Sequence, residues 1–565
     1  MTAGRTDNEE VRSEETVGSH DCGLTVREQT QNLLVFAANM GLGYLAAPVV
    51  YVGLTQAALF DALGHDNATS NLPSSVVMCL TPVPIFMAWY FPTVRMLKPV
   101  IVACYLIHVL AAAVVVLALV SPTADWVVGA VLFHAAAVGI ANGTNSAFQW
   151  EVLGRGVAES RRGAAFSLAF GLGPILAVLG SLGSQMVLDG RLGSSPFSGL
   201  DFRWNFALLF VATAPIMGLG AWLSTKYILH PPPVEAPRQP FRTVVFGGLR
   251  EFVSYRIILI TVLAYVLVYM GYMILPTMTL YTKMVTGEAA QNLVGYQNSL
   301  RFGFKVVAGF VLGWLLTRTH PKAGTLVTSG LCLCSVLWAL LAPGQWFLLS
   351  FGLMGAGELF DVYFRNYVIC CSPRSQMRRN VAFLSMIGLP IGLTPYVYGR
   401  VVDQVGALSD SYSITATVTV NEPTHTYRAS GTGTQGFTIA LDPVTNGNAT
   451  ARLTGTITDP GTLDTFTLGV NWGDPLSADN ETTYTCQASA TGTQEFTMEH
   501  QYKDFSDSMD DPYTITANLY SEKGFQAAFK VSLCLLVLGL VLIFWWMPRN
   551  PRPRAADPAA LELTG

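Results

Sequence analysis

Hydropathy along this chain rises into twelve long apolar runs separated by short polar loops. They lie at about 32–58, 72–92, 99–120, 126–149, 164–188 and 203–225, then 257–282, 292–317, 323–342, 346–371, 380–403 and 525–547. About 20 apolar residues cover a hydrocarbon core of roughly 30 Å, so each run predicts a membrane-spanning helix. One long stretch, 404–524, follows a different period. Its runs SITATVTV (413–420), TFTLGVNW (465–472) and YTITANLY (513–520) alternate β-branched or aromatic with small polar residues. Period-2 alternation between turn residues predicts antiparallel strands of a sandwich. The expected fold is thus an all-α membrane protein of two six-helix bundles, with an all-β sandwich inserted between spans eleven and twelve.

The two sets of six carry an internal repeat. RRGAAFSLAFGLGPI at 161–175 returns as RRNVAFLSMIGLPI at 378–391, so Arg161, Arg162, Ala165 and Phe166 match Arg378, Arg379, Ala382 and Phe383. Both copies are a basic loop opening into the fifth span of their half. Parallel repeats of this kind surround a central solute path in membrane proteins.

Loop charge predicts orientation, because short cytoplasmic loops collect Lys and Arg. One face gathers Arg95, Lys98, Arg155, Arg161 and Arg162, then Lys226, Arg238, Arg242, Arg250 and Arg256 from the mid-chain linker. The same face gathers Arg318, Lys322, Arg374, Arg378, Arg379, Arg549, Arg552 and Arg554. On the other face, 61–71 and 343–345 hold none and 189–202 holds Arg191. Both termini and the Pro-rich PPPVEAPRQP (231–240) are therefore expected in the cytoplasm and the β insert outside. The expected division is a disordered cytoplasmic N-terminus (1–30), a first bundle (31–226), a linker (227–255), spans seven to eleven (256–404), the insert (405–524), span twelve (525–548) and a cytoplasmic tail (549–565).

Composition agrees: 51% of the 565 residues are hydrophobic and 12% are charged, about half the charge of soluble domains. The apolar stretch after an acidic N-terminus does not have the form of a signal peptide. The nine cysteines show no metal spacing, and Cys486 stands alone in the insert, which excludes a disulfide within it. No G-x-x-x-x-G-K-[ST] phosphate loop is present, so ATP hydrolysis within the chain is not expected; the expected partners are a small-molecule solute and the lipid bilayer, with no nucleic acid and no cofactor.

Two resemblances follow from local motifs. The insert's ITDPGTLDTFTLGVNWGDP (457–475), EHQYKD (499–504) and DPYTITANL (511–519) resemble a PKD-type repeat through Trp472-Gly473-Asp474, His500-x-Tyr502 and the closing strand. Pro475 stands where that family has Gly, and 411–444 reads as the tail of an incomplete second copy or an added strand pair. Such modules are passive spacers or adhesion surfaces. The remaining chain, about 440 residues, resembles the major facilitator superfamily in its 6+6 layout, in YGRVVDQVG (398–406) closing span eleven and in GLGP (171–174) on span five. FPTVRMLKP (91–99) keeps only the basic character of that family's loop after span two. The resemblance implies that spans one, four, seven and ten line a central cavity.

Ionisable groups at membrane depth are costly and face a cavity or a partner. In the first half, Asn142, Asn145 and Gln149 share one helical face of span four, with His134 above them. They are candidates for the pathway, or else glue between helices. Glu151, Arg155, Arg161, Arg162, Arg378 and Arg379 are candidates for a cytoplasmic gate, with Glu151 expected to pair with Arg155. The second half is denser. Span eight places Arg301 and Lys305 four apart, and span ten places Glu358, Asp361 and Arg365 at i, i+3 and i+7. At 1.5 Å per residue the cations and the two carboxylates reach overlapping depths of roughly 13–23 Å, so they are expected to meet. Either they fix helix packing as silent pairs, or one carboxylate changes partner or proton during a cycle. Glu358 is the favoured one, since Gly355 and Gly357 before it are expected to leave room for water or solute.

The functional expectation is a secondary transporter, not an enzyme, in the plasma (bacterial inner) membrane. It would move a small solute by alternating access, as a symporter coupled to a proton or other cation. The alternative is a transporter-derived receptor or a surface-interaction protein that uses the external β domain.

Overall fold

The computed structural model describes residues 24–551 except 122–125, 190, 193–194, 197–199, 201, 231–239, 373–379, 381–382, 385, 387, 409–412, 422–423, 433–436, 442–449, 459–465, 474–479, 487–492 and 503–512. The N-terminal stretch to residue 23, most of the Pro-rich linker, Arg238, Arg374, Arg378, Arg379, Asp474, Pro475, Arg552 and Arg554 lie outside the described residues.

Span one starts at Val26, earlier than its apolar run suggests, because Thr25 and Glu28 form a capping box. It runs as Val26–Leu45, Ala47–Val50 and Leu54–Ala62, interrupted at Ala46 and at 51–53. Side chains satisfy the backbone freed there, as an apolar environment demands. Gln56 Nε2 donates to the Val49 carbonyl, the Gly53 amide donates to Gln56 Oε1, and Asn142 Nδ2 donates to the Val50 carbonyl.

The other spans follow in order: two (Asn67–Cys79 and Val83–Tyr90), three (Leu97–Leu119), four (Val127–Gly156), and five (Glu159–Phe166, a π turn at Ser167–Leu172, then Gly173–Asp189). Next come six (Trp204–Ser224), seven (Arg256–Tyr272 and Leu275–Thr286), eight (Val294–Arg318) and nine (Pro321–Leu341). Ten (Leu349–Gly357 and Phe360–Cys371), eleven (Gly388–Leu408) and twelve (Glu522–Trp546) complete the set. Among the described residues, eight stretches are long and apolar enough to cross a membrane. Spans one, five, eight and eleven are helical but fall short of that measure in unbroken length or apolarity, since they carry breaks, polar groups or the charges discussed below.

Two helix pairs make the most extensive contacts between the halves. Span eleven lies along span two, where an added Cβ at Gly392 would come 2.5 Å from the Cys79 amide nitrogen and one at Gly399 would overlap the Asn67 carbonyl. Span five lies along span eight, where a Cβ at Gly295 would meet the Gln185 side chain at 2.5 Å. The two helices that begin with the repeated block, five and eleven, thus take equivalent partners, eight and two.

A small hairpin, β1 (Arg191–Leu192) with β2 (Ser195–Pro196), sits between spans five and six. The insert is a sandwich of two antiparallel four-stranded sheets. One has the order β4 (Thr424–Thr432), β3 (Ser413–Asn421), β6 (Thr450–Thr458), β9 (Thr493–Gln501). The other has β5 (Phe437–Leu441), β10 (Tyr513–Ser521), β7 (Phe466–Asn471), β8 (Glu481–Cys486). β3 pairs with β6 over eight residues and β5 pairs with β10, so 411–444 is not a separate incomplete repeat: its strands complete both sheets of one sandwich. Trp472 is fully buried, its ring stacked on His500 at 5.2 Å and 12°, and Tyr502 Oη donates to the Trp472 carbonyl. Gly473 turns the chain with φ 72°, a conformation that favours glycine. β10 ends at Ser521 and span twelve begins at Glu522, with no loop between.

Candidate functional site

Span ten breaks at Glu358 and Leu359, between the helices ending at Gly357 and starting at Phe360. The carboxylate at this break is gripped from span eight. Arg301 Nε lies 2.9 Å from Glu358 Oε2 and Lys305 Nζ lies 3.0 Å from Glu358 Oε1. The four-residue spacing on span eight, one helical turn, aims both cations at the two oxygens of one carboxylate. Arg301 Nη2 also donates to Tyr272 Oη of span seven at 2.7 Å.

Asp361 does not join this cluster, contrary to the expectation from overlapping depth. It pairs with Arg365 at 3.0 Å on its own helix and accepts from Tyr265 Oη at 2.7 Å. The reason is the break in span ten, which separates the environment of residue 358 from that of the helix beginning at 360. Gly355 and Gly357 also differ from expectation, for they leave no room for solute. A Cβ at Gly355 would overlap the Arg301 carbonyl, and one at Gly357 would lie 2.5 Å from Cys332 Sγ. These glycines let span ten press against spans eight and nine, and that contact sets Glu358 beside Arg301.

A tyrosine ladder on span seven links the two ion clusters. Tyr265 reaches Asp361, Tyr272 reaches Arg301, and Tyr269 lies between them, edge-on to Phe360 at 5.1 Å. The spacing 265, 269, 272 puts the three hydroxyls on one helical face. That signal was present in YVLVYMGY but carries no charge, so a search for ionisable groups passed over it.

The first half supplies the opposite wall. Tyr44 and Tyr51 of span one stack at 6.0 Å and 30°, and Phe302 of span eight stands 6.3 Å from Tyr44 and 5.9 Å from Tyr51. Tyr51 is 40% exposed, and the side chains of Arg301, Lys305 and Glu358 are 9%, 15% and 17% exposed. The cluster therefore lies where the two halves face each other, with Lys305 and Glu358 more open than Arg301.

The hydrogen bonds that the span-four candidates make stay within their own half. Asn142 donates to Val50 and bonds His108 Nε2 at 2.9 Å, while Gln149 donates to Tyr105 Oη and to Asn145 Oδ1. His134 is buried edge-on against Phe210 of span six, inside the packed first bundle, so the structure does not set it on the path between the halves. Span one adds polar groups that the sequence reading did not single out: Asn39 donates to Ser224 Oγ, and Asn32 bridges the Gly156 and Ile228 carbonyls.

At the arginine-rich end, Glu151 pairs with Arg155 at 2.9 Å. Arg161 donates to the Val26 carbonyl and to Thr30 Oγ1, and Arg162 to the Val157 and Gly154 carbonyls. All of these bonds stay within the first half.

Ties across the halves gather at the opposite end. Gln185 Oε1 accepts from the Gly295 and Tyr296 amides and its Nε2 donates to the Asn292 carbonyl. Asp403 accepts from the Asn67 and Ala68 amides and from Asn67 Nδ2. Asn71 Nδ2 donates to Thr277 Oγ1, and the Tyr396 amide donates to Ser75 Oγ.

No family model matches the chain, and no curated protein matches it. Solved structures do. The nucleoside transporter NupG, as its D323A mutant, superposes with a TM-score of 0.50 at 14% identity, over 67% of this chain and 92% of that one. The peptide transporter POT in complex with sulfate gives 0.48 at 15% identity over 66% and 88%. A D-xylose-proton symporter gives 0.46 at 11% over 67% and 89%. At such identity the superposition on NupG speaks for architecture alone. By fold, the membrane part of this chain shares the two-bundle helical architecture of NupG, and among the described residues a β-sandwich interrupts it between its last two helices.

Proposed function

We propose that this chain is a secondary transporter that moves a small solute by alternating access of its two six-helix halves. One observation carries the reading: a cluster of three charged side chains, Arg301, Lys305 and Glu358, sits between helices at membrane depth and is faced across the halves by Tyr44 and Tyr51. Charges are kept in such a place when they serve a pathway. Transport by NupG adds the analogy of fold. Glu358 is the coupling group in this reading. A proton or another cation neutralises it and so loosens its hold on Arg301 and Lys305; when the solute leaves, that proton or cation leaves as well and the carboxylate pairs with both again.

The reading places both termini in the cytoplasm and the sandwich outside a plasma (bacterial inner) membrane, from the asymmetry of the basic loops. The sandwich is a PKD-type module, in line with the Trp472–His500–Tyr502 packing, and acts as a passive external unit. The described ties at the end opposite the basic loops fit a bundle closed on its outer side.

Uptake into proteoliposomes under an imposed proton or sodium gradient tests the proposal. Gradient-dependent accumulation of a solute supports it. Saturable binding without uptake by a protein correctly inserted favours the receptor reading. Reporter fusions at residues 480 and 560 found on one side would overturn the orientation.

A further inference from the structure

We infer that the central site binds a solute with one anionic group, a carboxylate or a phosphate, attached to a flat apolar body. This deepens the transporter reading and rests on it for the location of the site. The argument begins with charge. Arg301 and Lys305 carry two positive charges and Glu358 one negative, which leaves one cation uncompensated. The neighbouring Asp361 is committed to Arg365. In the first half, the acidic residues of the six spans stand near span ends: Glu28, Asp61, Glu151, Glu159 and Asp189. A net charge held at this depth is costly unless an opposite charge joins it, and an anionic solute supplies that charge.

Exposure then selects the contact. Arg301 is already shared between Glu358 and Tyr272 and is the least open of the three, whereas Lys305 pairs with Glu358 among the described residues and is more open. Lys305 therefore meets the anion first, as a flexible ammonium with three donors. The body of the solute is read from the facing wall. Tyr44, Tyr51 and Phe302 form one aromatic cluster beside Lys305, with Tyr44 and Phe302 buried in it and the Phe302 ring centroid 5.9 Å from Lys305 Nζ. Tyr51 is 40% exposed and offers the free part of that surface. Flat rings pack on such a wall in stacked or edge-on geometry.

The test uses the purified full-length protein in detergent, with binding read by thermal shift and by intrinsic tryptophan fluorescence. Benzoate, phenyl phosphate, acetate, inorganic phosphate, benzyl alcohol and benzylamine are titrated separately. Benzoate or phenyl phosphate is expected to stabilise the protein saturably, and the tighter of the two identifies the anionic group. Acetate and inorganic phosphate should bind at least tenfold more weakly, and benzyl alcohol and benzylamine should give no saturable shift. Lys305→Gln should weaken the aromatic anion by tenfold or more, as expected for loss of a charge-assisted hydrogen bond, while Lys305→Arg should restore most of it. Glu358→Gln should tighten it, because the cluster then carries two uncompensated charges.

Failure of both aromatic anions to bind, equal binding by benzylamine or benzyl alcohol, or unchanged benzoate affinity in Lys305→Gln would overturn the inference. Should Lys305→Gln not fold, Tyr51→Leu with Lys305→Arg decides in its place, by loss of the benzoate preference over acetate. Anion binding without uptake into proteoliposomes counts against transport and leaves the site assignment standing. Uptake of a neutral solute with no anion binding does the reverse.

Discussion

Gln185 of span five caps span eight across the two halves, its Oε1 accepting from the Gly295 amide at 2.9 Å. Asp403 of span eleven does the same for span two, accepting from the Asn67 amide at 3.2 Å and the Ala68 amide at 3.0 Å. The helix N-terminus leaves amides unpaired and carries partial positive charge, so an amide oxygen or a carboxylate suits both sites. The two caps hold the same end of the bundle shut, one on each of the helix pairs that join the halves.

Replacing Asp403 with Ala should therefore favour opening at that end. Loss of a partly buried, charge-assisted acceptor costs about 1–3 kcal/mol, enough to shift the populations of two states by about fivefold or more. Cys79 reports it, since it lies in the contact between spans two and eleven, against Gly392. With Cys79 as the single cysteine, labelling by a membrane-impermeant maleimide should quicken in Asp403→Ala. An unchanged rate would mean that the cap does not govern opening.

Gly355 should tolerate no side chain. Gly355→Ala would push span ten from the Arg301 carbonyl, and overpacking of this kind costs about 1–3 kcal/mol. Gly303→Ala on span eight meets open space and should be neutral or slightly stabilising, since Ala is favoured over Gly in a helix by up to about 1 kcal/mol. Thermal unfolding in one detergent compares the pair. Gly355→Ala should also weaken solute binding, because it moves Arg301 relative to Glu358.

Glu358→Gln separates coupling from exchange. The variant keeps the size and one of the two acceptor oxygens, its amide nitrogen being unable to accept from Arg301 or Lys305, and holds the neutral form, so it should exchange solute across proteoliposomes yet fail to accumulate it against a gradient. Accumulation equal to that of the parent would remove Glu358 from coupling and leave it as a structural partner of Arg301.

The sandwich should be separable from the bundle. Its core rests on Trp472, and Trp472→Ala should cost the domain about 3–5 kcal/mol and expose it to limited proteolysis. Gly524 packs against the Val402 backbone, so the ends of spans eleven and twelve stay close without the insert. Replacing 409–521 with a short Gly/Ser linker should leave the membrane part folded and its transport intact. Lost transport with normal insertion would tie the domain to the solute path, and the bond from Thr483 Oγ1 to the Gly287 carbonyl would be the first contact to examine.

Much of this molecule is legible from its chain alone. Apolar run length predicts the spans, strand alternation predicts the sandwich, and the duplicated Arg-Arg block relates span five to span eleven. The four-residue spacing of Arg301 and Lys305 already puts both cations on one face. These features depend on local period and composition, which are properties of the sequence itself. Partner choice is not. Depth alone left Arg301 and Lys305 free to meet either Glu358 or Asp361, and the break at 358–359 decided between them. Gly355 and Gly357 read equally as open space or as close contact until the helices they touch were placed. The caps at Gln185 and Asp403 join residues 110 and 336 positions apart. Such pairings arise only when helices pack, because the energy that selects them lies in contacts between distant segments, where no local pattern records it.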